Sequence, residues 1–151
     1  MAAPGDERWM RLALDQAREA SRHGDVPVGC VVVREDRVVG AGHNEREARP
    51  DPTAHAEILA LRAAALTLGG WRLMGTTLYV TLEPCPMCAG AIRQARVGRV
   101  VYGAADHKLG AAGTVVDVLG DPRLIGRVPA RGGCLGTEAG ALLADFFAER
   151  R

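Results

Sequence analysis

Two cysteines three residues apart, Cys85 and Cys88, are the residues of this sequence best suited to chemistry. They lie in the segment TLEPCPMCAG at positions 81–90, directly after a run typical of a strand. Pro84 ends that run and Pro86 suits a first helical turn, so both thiols are expected at a helix N-terminus, where thiolates are favoured. The motif alone leaves three alternatives open: a redox couple, half of a structural zinc site, or ligands of a catalytic metal.

A histidine and a glutamate earlier in the chain favour the third alternative. His55 and Glu57 lie in DPTAHAEIL, with His55 at the start of a predicted helix. One histidine and two cysteines supply three ligands, which leaves tetrahedral zinc one open position for water. Residues two apart in a regular helix face different directions, so both side chains reach one metal only if the helix begins irregularly. The DPT segment permits such a start.

The charge of these ligands explains why a carboxylate is needed. Two thiolates cancel the formal charge of Zn²⁺, so the metal is a weaker Lewis acid than one held by three neutral histidines. A nearby carboxylate must then take the proton of the bound water and can pass it on, and Glu57 is predicted to be that group. Two further cysteines are available for a closed site, but Cys30 lies inside an apolar strand and Cys134 has no partner pattern.

Length and composition predict one domain spanning residues 1–151. The chain is 48% hydrophobic and 25% charged, an ordinary globular composition, and its net charge of +1 excludes neither a nucleic acid nor a small molecule as partner. Its longest apolar runs fall far short of the ~20 residues that a membrane span needs. Acidic residues stand near the N-terminus, where a signal peptide is apolar. We therefore expect a cytoplasmic protein, in which cysteines rarely form disulfides.

Hydrophobic periodicity predicts the elements that position these residues. In chain order they are a helix over about 7–23, a hairpin of VGCVVV and VVGAG, a helix from DPT to the two glycines at 69 and 70, the strand TTLYVTL, the helix CPMCAGAIRQA, the strand RVVYG, the loop GAADHKLGAAGT and a last helix over about 139–146. The strand–helix–strand alternation around the cysteines favours parallel pairing. The predicted fold class is α/β, with a mixed sheet between helices.

The combination of HAE with PCxxC is the signature of zinc-dependent nucleobase deaminases, in which the glutamate is the general acid and base. Further segments match in chain order, namely VPVGCVVV, HNE, DPTAHAEILALR, TLYVTLEPCPMCAGAI, GRVVYGA, GAAGT and ALLADFF. Over nearly its whole length the sequence resembles the family of bacterial tRNA-specific adenosine deaminases. The resemblance implies a cytidine-deaminase-like three-layer α/β/α fold with a mixed five-stranded sheet, a homodimer and one Zn²⁺ per chain.

The same resemblance implies a reaction, which is hydrolytic deamination of adenosine to inosine at the wobble position of a tRNA anticodon. It assigns a zinc-bound hydroxide as the nucleophile and Glu57 as the proton shuttle. The expected partner is the anticodon stem-loop. Asn44 resembles the asparagine of the family that contacts the base, and Val28 resembles the pocket wall beside it. Three further residues complete the predicted substrate-binding set: Asp106, Lys108 and Arg150.

A run of basic residues after the cysteines is expected either to contact the RNA backbone or to form a solvated helix face. It consists of Arg93, Arg96 and Arg99. The following loop departs from the family at two positions. Ala105 stands where relatives often carry a basic residue, and Thr114 stands where they carry serine.

Two other functions remain open at this stage. A deaminase of a free base or nucleoside, of the guanine or cytosine type, is the closer alternative, because PCPMC also occurs among guanine deaminases. A non-catalytic zinc-binding RNA module is the more distant alternative, and it would leave Glu57 without a role.

Overall fold

A computed structural model describes residues 3–150 and shows a five-stranded sheet with helices on both faces. The helices are α1 (Asp6–Arg22), α2 (Ala56–Leu68), α3 (Pro86–Gln94) and α4 (Gly136–Ala148). The strands are β1 (Gly29–Arg34), β2 (Arg37–His43), β3 (Thr77–Leu82), β4 (Arg99–Ala104) and β5 (Ala130–Arg131). Their order in the sheet is β2-β1-β3-β4-β5. Strand β1 is antiparallel to β2 and β3, whereas β3, β4 and β5 are parallel, so the predicted mixed sheet is confirmed.

Alternate residues of the central strands face two separate cores, as the period of a strand requires. Cys30 and Val32 of β1 pack with α2 and α3, whereas Val31 and Val33 pack with α1. Helix α4 lies against β4 and α1, on the same face as α1. The sheet is thus buried on both sides, which confirms the three-layer α/β/α class and explains why the VGCVVV run shows no polar alternation.

Helix α2 lies so close to β2 that glycine is required between them. A Cβ atom built on Gly42 would lie 2.8 Å from the carbonyl oxygen of Ala56, the first residue of α2. Only a residue without a side chain allows this approach. Gly42 therefore fixes where the N-terminus of α2 meets the sheet, and that N-terminus carries the predicted metal ligand His55.

The hydrophobic pattern located every long element within three residues but not β5. This strand has only two residues, and both are exposed, so it has no apolar period to detect. A fifth strand was expected only from the family resemblance. Within the described part of the chain, no helix is long and apolar enough to cross a membrane.

A buried carboxylate joins the first helix to the middle of the sheet. Asp6 is 1% exposed and accepts hydrogen bonds on Oδ1 from the Tyr79 hydroxyl at 2.8 Å and from Arg99 Nη2 at 2.8 Å. Its Oδ2 accepts from the Ala3 amide at 2.9 Å and from Arg99 Nη1 at 3.2 Å. Burial raises the pKa of Asp6, but these hydrogen bonds to the ionised form outweigh burial and leave the pKa below its usual value.

We predict that Asp6→Ala lowers the free energy of unfolding at pH 7 by roughly 2–3 kcal/mol, because Arg99 and Tyr79 lose their acceptor. A depressed carboxylate pKa stabilises the fold fully above the unfolded pKa of ~3.9, and this stability is lost as the pH falls through the lower folded pKa. The difference in the free energy of unfolding between Asp6→Ala and the wild type should therefore stay constant from pH 8 to pH 5 and become smaller only below about pH 4. Urea unfolding across this range measures it.

Asp15→Ala is the matched control, because Asp15 forms only an exposed pair with Arg18 at 3.0 Å. Asp15→Ala should lower the free energy of unfolding by less than about 0.5 kcal/mol. Equal losses for the two variants would contradict a special role for Asp6.

Candidate active site

The N-termini of α2 and α3 bring three potential metal ligands together. His55 is the N-cap residue of α2 and has an extended backbone, with φ −77° and ψ 152°. Cys85 is the N-cap residue of α3, with φ −75° and ψ 172°, and Cys88 lies in the first turn of that helix. The sequence predicts His55 at the start of a helix, and the structure places it as the N-cap residue, one position before the first helical residue. This extended residue is the irregular start that the pairing of His55 with Glu57 requires.

The distances between the three donor atoms fit one tetrahedral zinc ion. His55 Nδ1 lies 3.7 Å from Cys85 Sγ and 3.4 Å from Cys88 Sγ, and all three atoms lie within 4.8 Å of one another. Zinc with ordinary Zn–N and Zn–S bond lengths separates tetrahedral nitrogen and sulfur ligands by about 3.6 Å. The three residues therefore form a site suited to zinc, with one tetrahedral position left for water or substrate.

The electrostatics of the trio favour a bound cation. Hydrogen bonds from Cys88 and His55 stabilise the Cys85 thiolate and lower its pKa to about 4, against the opposing effect of burial. The hydrogen bond to Cys85, together with burial, raises the pKa of Cys88. The hydrogen bond to Cys85 also raises the pKa of His55. One thiolate is thus present at neutral pH before any metal binds, and a metal ion would displace the remaining thiol proton.

Glu57 is buried beside these ligands, in the first turn of α2. The side chain is 4% exposed, and burial raises its pKa to about 7. The nearby Cys85 thiolate raises the pKa further, whereas the positive charge on His55 opposes this effect. A carboxyl group with a pKa near neutrality can both accept and donate a proton at physiological pH.

A cavity of about 210 Å³ opens beside His55, Glu57 and Cys85. Two residues of its wall, Val28 and Asn44, were predicted to contact the substrate and are 5% and 6% exposed. The remaining lining residues are Val26, Arg46, Leu82, Glu83, Asp106, Leu109 and Phe147. The structure therefore brings His55, Cys85, Glu57, Val28, Asn44 and Asp106 to one cavity, while Cys88 is fully buried and outside its lining.

The orientation of the Asn44 side chain follows from its hydrogen bonds. Its Oδ1 accepts a hydrogen bond of 2.9 Å from the amide of Ala56, the first residue of α2. A backbone N–H can only donate, so the oxygen must face the helix and the NH₂ group is the part left to bind a ligand. The backbone amide of Asn44 also donates to the Val28 carbonyl at 3.1 Å, which fixes the two wall residues to each other.

Lys108 and Arg150 lie outside the cavity lining and are exposed. Lys108 is in the loop that carries Asp106, and its backbone amide donates to Asp106 Oδ1 at 3.0 Å. The Arg150 guanidinium lies 3.5 Å from the centre of the Phe146 ring, at the end of α4. These two cations are available to a large substrate but not to a base inside the cavity.

Neither alternative predicted for the basic run, contact with the RNA backbone or a solvated helix face, describes Arg93 or Arg99. Arg93 is 4% exposed, and its Nη1 donates to three backbone carbonyls of the 118–121 segment, while its Nη2 donates to that of Leu124. Arg99 is bound to Asp6 at the first residue of β4, whereas the cavity lies beyond the other end of that strand. Arg96 donates to the carbonyl oxygen of Arg93 at 2.9 Å. The run therefore holds loops and strands in place.

Cys30 and Cys134 are buried thiols outside the metal site. Cys30 is 0% exposed within the core under α2 and α3, and Cys134 is 4% exposed against the core under α1. The surroundings of Cys30 agree with its position in an apolar strand, and those of Cys134, for which the sequence predicts no partner, are those of a small apolar side chain.

Sequence reasoning missed six residues of the cavity wall: Val26, Arg46, Leu82, Glu83, Leu109 and Phe147. Arg46 follows Asn44 by two positions, and that proximity was a usable signal. Phe147 is 50% exposed, whereas its neighbour Phe146 is 7% exposed, so the two phenylalanines of α4 face different environments. The sequence alone does not distinguish them.

Comparison with known proteins agrees with the fold and the donor set. Residues 4–104 match the cytidine and deoxycytidylate deaminase zinc-binding region. This match spans the ligands His55, Cys85 and Cys88 as well as Glu57. The chain therefore belongs to the zinc-dependent cytidine and deoxycytidylate deaminase family.

Within that family, the chain is similar to proteins that act on tRNA. It is 44% identical over 146 residues to the tRNA-specific adenosine deaminase of Bacillus subtilis, which covers 97% of this chain and 91% of the relative. A structure from studies of A-to-I editing by tRNA deaminases at the wobble position superposes with a TM-score of 0.87 and 42% identity, covering 90% of this chain and 99% of the other. The guanine deaminase of Nitrosomonas europaea superposes with a TM-score of 0.83 but only 26% identity, covering 98% and 86%.

Proposed function

We propose that the protein deaminates adenosine to inosine at the wobble position of a tRNA anticodon. The observation that best supports this proposal is the buried carboxyl group of Glu57, which lies beside a site with three metal ligands at a cavity of about 210 Å³. This volume is below the range of ~300–1,000 Å³ usual for drug-sized ligands, so the cavity suits a single base. The similarity to tRNA-specific adenosine deaminases supports adenosine in tRNA as the substrate, which would place the protein in the cytoplasm.

The reaction replaces the amino group of adenine by oxygen from water and releases ammonia. Zinc, when bound, supplies the Lewis acidity that makes water nucleophilic at neutral pH. Glu57 would take one proton from that water and deliver it to the ring nitrogen next to the reacting carbon; it would then take the second proton from the added oxygen and give it to the amino group, which leaves as ammonia. A carbon–oxygen bond forms and a carbon–nitrogen bond breaks. Burial raises the pKa of Glu57 to about 7, and a carboxyl group with such a pKa can both accept and donate a proton.

Asn44 and Val28 are proposed to select and hold the base. The free NH₂ group of Asn44 is a donor, so it would bind an acceptor on the edge of the purine. Val28 offers an apolar surface against the ring. Because both residues are fixed to the backbone around β1 and α2, the base would meet a wall that needs little rearrangement on binding.

The rim of the cavity is proposed to hold the rest of the anticodon loop. A target base must leave its stack to enter the cavity, which costs a few kcal/mol. Contacts to phosphates and stacking on aromatic rings, worth ~1–3 kcal/mol per stacked base, offset that cost. The cations Arg46, Lys108 and Arg150 and the half-exposed ring of Phe147 are suited to these contacts.

We further propose a homodimer that forms through the face of α2 and α3. A groove of about 620 Å³ on this face is lined mainly by apolar side chains, among them Ile58, Leu61 and Trp71. Trp71 and the neighbouring Leu66 are 53% and 86% exposed. A second copy of the chain, as the family resemblance implies, would cover this surface.

Sedimentation equilibrium should give twice the chain mass of 16.0 kDa for the wild type. Trp71→Glu should dissociate the dimer, because it places a charge on the apolar surface. A monomeric wild type would overturn the assignment.

Glu57→Gln and Cys88→Ala should separate the proton shuttle from the metal ligands. Glu57→Gln should keep its zinc but lose at least about 10²–10⁴-fold in kcat, since the amide cannot carry a proton. Cys88→Ala should lose zinc and activity together, whereas Cys134→Ala, the matched control, should keep both. Metal analysis of the purified proteins, alongside single-turnover deamination, measures this. A Glu57→Gln variant whose kcat stays within tenfold of the wild-type value would disprove the role of Glu57 in proton transfer.

The substrate class is tested by comparing an adenosine-wobble anticodon stem-loop with free bases and nucleosides. We expect inosine in the stem-loop, with kcat/KM falling steeply as salt rises, because phosphate contacts release counterions. Arg46→Ala should weaken this salt dependence, whereas Arg18→Ala, a change in an exposed pair on α1, should not. Efficient and salt-insensitive turnover of guanine would instead assign the protein to the guanine deaminases.

A further inference from the structure

The loop of residues 105–114 forms one wall of the cavity and directs several of its hydrogen-bond donors at a single carboxylate. Glu83 follows β3 and is 2% exposed. Its Oε1 accepts from the Asp106 amide at 3.1 Å and from the Thr114 hydroxyl. Its Oε2 accepts from the amides of Ala112 at 2.9 Å and Thr114 at 3.1 Å. Both ends of the loop are therefore attached to one buried side chain.

The loop also packs directly on this carboxylate. A Cβ atom built on Gly110 would lie 2.6 Å from Glu83 Cδ and 2.4 Å from the Asp106 carbonyl oxygen. No side chain fits at position 110 while the loop keeps this shape. Asp106 and Leu109, which precede Gly110, are the residues through which the loop lines the cavity.

The chemistry of the interaction explains why an acid stands at position 83. A buried carboxylate is costly unless its oxygens accept hydrogen bonds, and two backbone amides on one oxygen need an acceptor without protons of its own. Glutamate supplies four acceptor positions, and the four bonds described here all come from the loop. None of these bonds involves His55, Cys85 or Cys88, so this role of Glu83 is separate from metal binding.

We propose that Glu83 is a positioning residue that holds loop 105–114 in the conformation in which Asp106 and Leu109 form the outer wall of the cavity. It thereby sets the affinity for the substrate and leaves the proton transfers to Glu57. This inference rests on the proposed deamination of adenosine in tRNA only for its kinetic consequence. The attachment of the loop is a property of the fold itself.

Glu83→Gln tests the proposal with little change in shape. Glutamine keeps one acceptor oxygen but places an NH₂ group where the other oxygen accepted two bonds. We expect KM for the anticodon stem-loop to rise about tenfold, while kcat stays within about threefold and the zinc content is unchanged. An unchanged KM would overturn the proposal, as would a fall in kcat larger than the rise in KM.

Thr114 offers a matched pair of variants on the other side of the contact. Thr114→Val removes the hydroxyl donor and keeps the branched shape, whereas Thr114→Ser keeps the donor and removes a methyl group. The valine variant should show a raised KM, and the serine variant should resemble wild type. If serine were as impaired as valine, packing of the methyl group and not the bond to Glu83 would hold the loop.

Amide hydrogen exchange tests the attachment without any assumption about the reaction. In Glu83→Ala the amides of Ala112 and Thr114 should exchange about tenfold faster or more, since no acceptor oxygen remains for them. The amide of Ala89, which bonds to the Cys85 carbonyl at 2.8 Å within α3, should be unaffected. Unchanged exchange at positions 112 and 114 would overturn the role of Glu83. A wild-type enzyme inactive on the stem-loop would overturn the proposed function alone.

Discussion

The meeting of two helix N-termini at one end of the sheet is the constraint on which the site depends. His55 and Cys85 are both N-cap residues with extended backbones, and this geometry directs their side chains to a common point. The helix dipoles add partial positive charge there, which stabilises a thiolate. The convergence needs α2 to lie on β2 without a gap, which the missing side chain of Gly42 permits. A metal site of local residues thus depends on packing between distant elements.

The same convergence explains the position and the raised pKa of Glu57. His55 is extended, so the helix begins after it, and Glu57 then lies in the first turn beside the metal ligands rather than on the opposite face. Burial at this point removes water from the carboxyl group and raises its pKa to about 7. The metal ligands and the carboxyl group obtain their separate properties from one local feature, the irregular start of α2.

Residue spacing and hydrophobic periodicity predicted the metal ligands and the main helices and strands. The sequence did not predict interactions between residues that lie far apart in the chain. The donor set of His55, Cys85 and Cys88 was recognisable because its residue types match the chemistry of zinc. Arg93 and Arg99 were misinterpreted because a run of cations says nothing about the backbone carbonyls and the carboxylate that bind them. Glu83 was visible beside the cysteines, but its partners lie 23–31 positions away, beyond any local pattern.

The inner and outer walls of the cavity are held in place by different contacts. The inner wall, with Val28 and Asn44, belongs to the core. The Asn44 amide donates to the carbonyl of Val28, next to β1, and the Asn44 side-chain oxygen accepts from the first amide of α2, so moving this wall would disturb the sheet and the metal site. The outer wall is a loop whose two ends bond to the Glu83 side chain and whose Ala111 amide donates to the Pro84 carbonyl at 2.8 Å. Changes in the loop can therefore alter how a polynucleotide is held without disturbing the base or the metal.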